Sequence, residues 1–438
     1  MPLRFFRLTP KLTSRRPNTT TMTSTSPSDV PIPNHFRCPI SLDLMKDPVT
    51  LPTGITYDRR SIETWLEAGN LTCPLTNQLL PLPLVADGGG LIPNHTIRRM
   101  IQEWCVAHRS HGIERIPTPK TPITSAQVAE TLSQISAALQ RGDGPRCSDL
   151  VAKLKTWSNE SERNRRCISS NGAAARVVSE VFKEFPSEQG LSVLAGMLPL
   201  SDEARKLLSS TESLNSIVSV MRNGNLSGRL HAVLMVKEIA AADTEQAAQI
   251  AATDGLIESI VRLVKEPFSP QATKASLIAA YYLVASDEKV ASRFAEIGFV
   301  TVLLDMLVDA EKNLCEKGLV VIDGVLNSEI GREKASSHAL TVPLLVKKMF
   351  RVSDITTEFA VSAIWKLCKN QKNNVGREKC LKEAIQVGAF QKLLLLLQVG
   401  CSDNTKEKAS ELLRMLNGLK GTEECIETSD FKQLKRPF

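Results

Sequence analysis

The C-terminal two-thirds of the chain repeats itself, and an internal repeat restricts the available folds more than any other feature here. Gly172, Gly255, Gly298 and Gly388 each precede an apolar pair by five and six positions: Val177-Val178, Ile260-Val261, Leu303-Leu304 and Leu393-Leu394. Glu212, before Ile217-Val218, and Ala339, before Leu344-Leu345, take the same place where the glycine is missing. Successive anchors are 40, 43, 43, 41 and 49 residues apart. Within one unit Leu256, Ile260, Leu263 and Val264 recur at helical spacing and form one apolar face. Such a face needs a neighbour to bury it, and stacked copies of the unit supply one. Each unit also carries an alanine-rich helix, as in Lys274-Ala-Ser-Leu-Ile-Ala-Ala and Glu358-Phe-Ala-Val-Ser-Ala-Ile-Trp, whose small side chains let helices approach closely. Glycine at the anchor suits a sharp interhelical turn, where positive φ has no steric cost.

A period of about 40–47 residues with two or three helices per unit marks armadillo or HEAT arrays, which usually present a long surface to another protein. Composition agrees: 42% hydrophobic content with 5% aromatics favours helix-on-helix packing over a β-sandwich. The net charge of +7 suggests a nucleic-acid binder, but Arg4, Arg7, Lys11, Arg15 and Arg16 contribute five of those charges in a stretch free of acids. The remainder is a mixed-sign surface without an electrostatic footprint for DNA or RNA. The longest apolar run, Leu277 to Ala285, is half of what a membrane span needs. The ten cysteines are scattered and do not make a disulfide framework, which points to a reducing compartment, cytoplasmic and with nuclear access. Residues 1–31 are read as a disordered leader, with a transit peptide or an over-extended start before Met22 as the other readings. The expected order is then a compact module over 32–107, a proline-containing linker over 108–125, a helical solenoid over 126–425 and a tail over 426–438.

The module is unlike the repeats. It is rich in proline and turn residues, and Cys38 and Cys73 each stand directly before a proline, as ligand cysteines in zinc loops often do. Yet no C-x-x-C pair exists, and tetrahedral zinc needs four well-placed ligands, so the expected cofactor is none and no zinc. A short helix is predicted from Arg59 to Ala68, capped by Asp58 and ended by Gly69-Asn70. Tyr57, Leu66, Ile97 and Ile101 are its expected core.

Read in order, the module has Ile32-Pro33, Phe36-Arg37-Cys38-Pro39-Ile40-Ser41-Leu42, Met45-Lys46-Asp47-Pro48-Val49-Thr50, Gly54-Ile55-Thr56-Tyr57-Asp58-Arg59, Ile62-Glu63-Thr64-Trp65-Leu66, Cys73-Pro74-Leu75-Thr76, Ile92-Pro93-Asn94-His95-Thr96-Ile97-Arg98 and Ile101-Gln102-Glu103-Trp104-Cys105. This resembles the plant U-box, a RING-like fold without its zinc. With the repeats behind it, the chain resembles a plant U-box/armadillo ubiquitin-protein ligase over about nine-tenths of its length. The resemblance implies a mostly α chain: a small α+β zinc-free U-box followed by an armadillo solenoid. It implies that two loops are cross-braced beside the short helix, for which Asp43, Lys46, Asp47, Arg59, Glu63 and Asn94 are available.

It further implies an apolar groove of Ile40, Leu42, Trp65 and Pro74 that receives a ubiquitin-conjugating enzyme charged with ubiquitin, and a ubiquitin-contacting linchpin at Asn77. Catalysis would be positional, with no active-site cysteine on the ligase, while the armadillo groove takes the protein substrate. Dimerisation, known in some U-box proteins, and a role in plant stress or defence signalling come with the resemblance alone. A pure armadillo scaffold without ligase activity is the alternative. An import adaptor would need Trp-x-x-x-Asn ladders, and none of Trp65, Trp104, Trp157 or Trp365 has Asn four residues on.

Overall fold

The computed structural model describes residues 31–81, 91–117, 123–369 and 374–420. The predicted leader, except its last residue, and the predicted tail lie outside these residues. The chain divides into two compact units between Thr121 and Pro122.

The first unit is built on a three-stranded antiparallel sheet in the order β2-β1-β3: β1 (Pro48–Thr50), β2 (Thr56–Asp58) and β3 (Ile92–Pro93). Val49 pairs with Tyr57 on one side and with Pro93 on the other. Gly54, at φ +81°, closes the β1–β2 hairpin, its N–H donating to the Leu51 carbonyl at 2.9 Å. Helix α1 (Arg59–Glu67) follows β2 directly, and α2 (His95–Ala107) follows β3. Tyr57, Ile62, Leu66 and Ile101 are buried in the core and Ile97 packs against it. Of the segment read as a linker, Ile116 is buried in this first core and Ile123 in that of the second unit.

The second unit opens with α3 (Ser125–Gln140) and α4 (Gly144–Glu160). Six units of three helices follow among the described residues. They are α5 (Glu162–Ser169), α6 (Ala174–Glu184), α7 (Glu188–Ala195); α8 (Asp202–Leu208), α9 (Thr211–Asn223), α10 (Leu226–Ala240); and α11 (Thr244–Ala251), α12 (Leu256–Lys265), α13 (Pro270–Ser286). The remaining three are α14 (Glu288–Glu296), α15 (Phe299–Asp309), α16 (Lys312–Val325); α17 (Glu329–Ser337), α18 (Thr341–Lys348), α19 (Asp354–Lys369); and α20 (Asn374–Gln386), α21 (Ala389–Val399), α22 (Asp403–Lys420).

Each second helix carries the apolar pair, and each third helix packs on the third helix of the next unit; the alanine enrichment expected of every third helix is absent from α16, which has no alanine. Ala272, Ala275, Ala279 and Ala280 of α13 are buried. The anchors differ in mechanism. Gly255, Gly298 and Gly388 lie at φ +72°, +85° and +80°, as the turn requires. Gly172 is not left-handed, contrary to expectation. There Asn171 makes the turn instead, its Oδ1 accepting from the Ala173 N–H at 3.1 Å. The pair Leu393-Leu394 is also incomplete: Leu393 is buried, but Leu394 is exposed at the end of the array. No membrane-spanning helix occurs among the described residues.

Candidate functional site

Two loops of the first unit fold alike. Cys38 donates its N–H to the Asp43 carbonyl at 2.8 Å and accepts from the Leu42 N–H at 2.8 Å. Cys73 donates to the Gln78 carbonyl at 2.9 Å and accepts from the Asn77 N–H at 2.9 Å. Each loop is closed by one antiparallel bridge, Arg37 with Leu44 and Thr72 with Leu79. Leu42 and Asn77 occupy matching places and are both left-handed, at φ 63° and 56°. Asparagine tolerates that conformation, whereas leucine there bears about 1–2 kcal/mol of strain.

Adjacent residues of β2 hold both loops. The Tyr57 hydroxyl lies 3.1 Å from Cys73 Sγ and accepts the Leu75 N–H at 3.2 Å. The Asp58 N–H donates to Cys38 Sγ at 3.3 Å, and its Oδ1 accepts the N–H groups of Lys46 and Asp47 at 2.8 and 2.9 Å. Successive strand residues point to opposite faces, so one dipeptide reaches both loops. Burial opposes ionisation of Cys73. Hydrogen bonds to its sulfur from Thr53, Thr76 and Tyr57 outweigh that and pull the thiol from 9.0 down to about 6. Cys38 is lowered as well, burial being overcome by the Ser41, Asp58 and Ile40 N–H groups and Ser61. Burial, then the bond to Cys73, pushes Tyr57 up. Among the described residues no cluster of three or more His, Cys, Asp or Glu could hold a metal ion.

The expected bracing residues divide into two sets. Arg59 Nε lies 2.6 Å from Asp47 Oδ2, and its Nη1 is 3.9 Å from Glu63. Asn94 caps α2 by accepting the Ile97 N–H at 3.0 Å and donates to Thr50 Oγ1 at 3.1 Å, tying the helix to β1. Asp43 and Lys46 brace through the backbone alone: their exposed side chains make no hydrogen bond or ion pair among the described residues. Asp58, expected as the α1 cap, makes no side-chain cap bond because its carboxylate is turned into the first loop. Its reach across eleven and twelve residues has no local signature.

Around this frame Ile40, Trp65 and Pro74 are partly buried, while Leu42 is 64% exposed. Trp65 Nε1 donates to the Thr72 carbonyl at 2.8 Å, which fixes α1 against the second loop. Sequence reasoning passed over Leu75 and Leu79, 61% and 79% exposed. The parallel between the loops was the available signal, since Leu75 holds in the second loop the place of Ile40 in the first.

A family model described as the U-box domain matches residues 32–110, and one described as the plant U-box protein ARM repeat region matches 127–436. U-box domain-containing protein 21 of Arabidopsis thaliana is 41% identical over 421 residues, covering 94% of each chain. The chain belongs to the plant U-box/armadillo family. It is thereby a ubiquitin-protein ligase of the U-box type. The Arabidopsis thaliana protein named E3 ubiquitin-protein ligase PUB23 is 32% identical, covering 88% of this chain and 93% of its own. An engineered protein of known structure superposes with a TM-score of 0.52 at 13% identity, over 67% of this chain and 71% of its own, a likeness of fold alone. The U-box thus places two matched loops and one helix around exposed leucines, with the repeat array following in the same chain.

Proposed function

We propose that the U-box surface of Ile40, Leu42, Trp65 and Pro74, extended by Leu75, receives a conjugating enzyme charged with ubiquitin, and that the repeats bind the protein substrate. The observation that carries the reading is the bracing of both loops by Tyr57 and Asp58, which leaves Leu42 and Leu75 exposed on a rigid frame. Exposed leucines held this way meet a partner with little loss of conformational entropy. The substrate lysine attacks the thioester carbonyl, the conjugating enzyme's thiolate leaves, and the ligase contributes positioning without a covalent intermediate. Asn77, exposed beside this surface, offers a carboxamide to ubiquitin and the enzyme. The loops keep their shape without zinc, through Cys73–Tyr57, Cys38–Asp58 and Asp47–Arg59.

In a reconstituted ubiquitination assay, Ile40→Ala is expected to remove the ubiquitin ladder while the melting temperature holds, and a zinc chelator is expected to change nothing. Full ladders from Ile40→Ala would overturn the surface assignment, and loss on chelation would overturn the zinc-free reading.

A further inference from the structure

Helices α10, α13 and α16 pack side by side. They carry His231, Lys274 and Lys317 at one register, each nineteen positions after its unit's anchor, Glu212, Gly255 or Gly298. Lys317 is only 5% exposed. Its ammonium donates to Asn313 Oδ1 at 2.6 Å and to the Asn313 carbonyl at 3.4 Å. Among the described residues no carboxylate lies within ion-pair distance of Lys317 or of Lys274. Burial, then the charge of Lys274, pushes the Lys317 ammonium down, with Glu316 opposing.

A buried ammonium is costly unless paired. Elsewhere between third helices the array does pair such a group: Lys366 of α19 meets Asp323 of α16 at 2.8 Å. At Lys274 and Lys317 the chain leaves two neighbouring cations without a counter-ion.

We propose that the Lys274–Lys317 step is the docking site for an extended acidic segment of the protein substrate, whose Asp or Glu carboxylates supply the missing counter-ions. This rests on the reading that the repeats bind substrate and names the chemistry they select. Charge complementarity sets the sign of the partner, and geometry sets its spacing. Packed helices lie about 8–10 Å apart, and an extended chain covers about 10 Å in three residues. Acids every third residue therefore match adjacent third helices.

The test uses the full chain and a fluorescent peptide of repeated Glu-Ser-Ser, with Gln-Ser-Ser and Lys-Ser-Ser counterparts, followed by polarisation. The Glu peptide is expected to bind, to weaken as salt rises, and to lose about tenfold or more in affinity with Lys274→Gln or Lys317→Met. Lys347→Gln, on the second helix α18, should leave affinity unchanged. Lys317→Met should also raise the melting temperature of the free chain, because it removes a desolvated, unpaired charge. A purely structural lysine would not weaken peptide binding while its loss stabilised the fold. Equal binding of the three peptides, preference for the Lys peptide, or indifference to both variants would overturn the inference. In a parallel arm, the proteins ubiquitinated in a cell extract are compared with and without residues 123–420. If that pattern depends on the repeats while the peptides fail, the substrate reading stands and only the acidic-segment inference falls.

Discussion

A single buried hydroxyl ties the second loop of this U-box to β2. Tyr57 is fully buried, and its oxygen joins Cys73 Sγ and the Leu75 N–H. Tyr57→Phe leaves the Leu75 N–H without its acceptor and Cys73 Sγ with one bond fewer, at a cost of about 1–3 kcal/mol. Hydrogen exchange should accelerate at the Leu75 and Asn77 amides, and ligation should fall with it; unchanged exchange would mean the loop is held elsewhere. Cys73 adds a pH dependence. Its folded-state value of about 6 lies below the ordinary 9.0. The thiolate's contribution is therefore complete above pH 9, declines as pH falls, and is gone below about 6. Denaturation midpoints of the first unit should rise from pH 6 to pH 9, and that slope should flatten in Cys73→Ser. The sequence showed Tyr57 as core and Cys73 as a former ligand. That the two touch depends on β2 passing beneath the second loop, a contact sixteen residues apart.

At the level of the element, the interhelical turns show how one backbone problem takes several answers. Gly298 is left-handed, with open space where a Cβ would stand, so Gly298→Ala should cost about 1–2 kcal/mol from the backbone alone. Gly255 is left-handed too, but the Arg222 guanidinium lies against it, so Gly255→Ala should cost more as that side chain is displaced. Gly172→Ala should be nearly neutral, because the Asn171 side chain makes that turn. Thermal melts of the three variants would rank them; equal losses would refute the distinction. The repeat was legible because its apolar pairs keep register. The mechanism of each turn was not, since a glycine letter is the same whether or not its φ is positive.

Over the whole molecule, stability passes from unit to unit across the third helices. The Asp323–Lys366 pair bridges two of them with side chains only 14% and 11% exposed. Asp323→Asn removes the counter-ion, leaving the ammonium its bond to the residue 323 carbonyl, and should cost about 3–5 kcal/mol, whereas Asp323→Asn with Lys366→Met should recover most of it. In the single variant, denaturation should split into two steps as the last units uncouple; one cooperative transition would argue against a transmitted interface. The two kinds of unit, the repeat period, the buried faces and the apolar residues of the loops were legible in the chain, because these depend on local spacing and on which side chains avoid water. Which polar groups meet is set by tertiary packing: Asp58 with the first loop, Tyr57 with Cys73, and Lys366 with Asp323, while no described carboxylate pairs with Lys317. Hydrogen bonds and ion pairs depend on ångström distances between segments far apart in the chain, and no periodicity in the sequence records them.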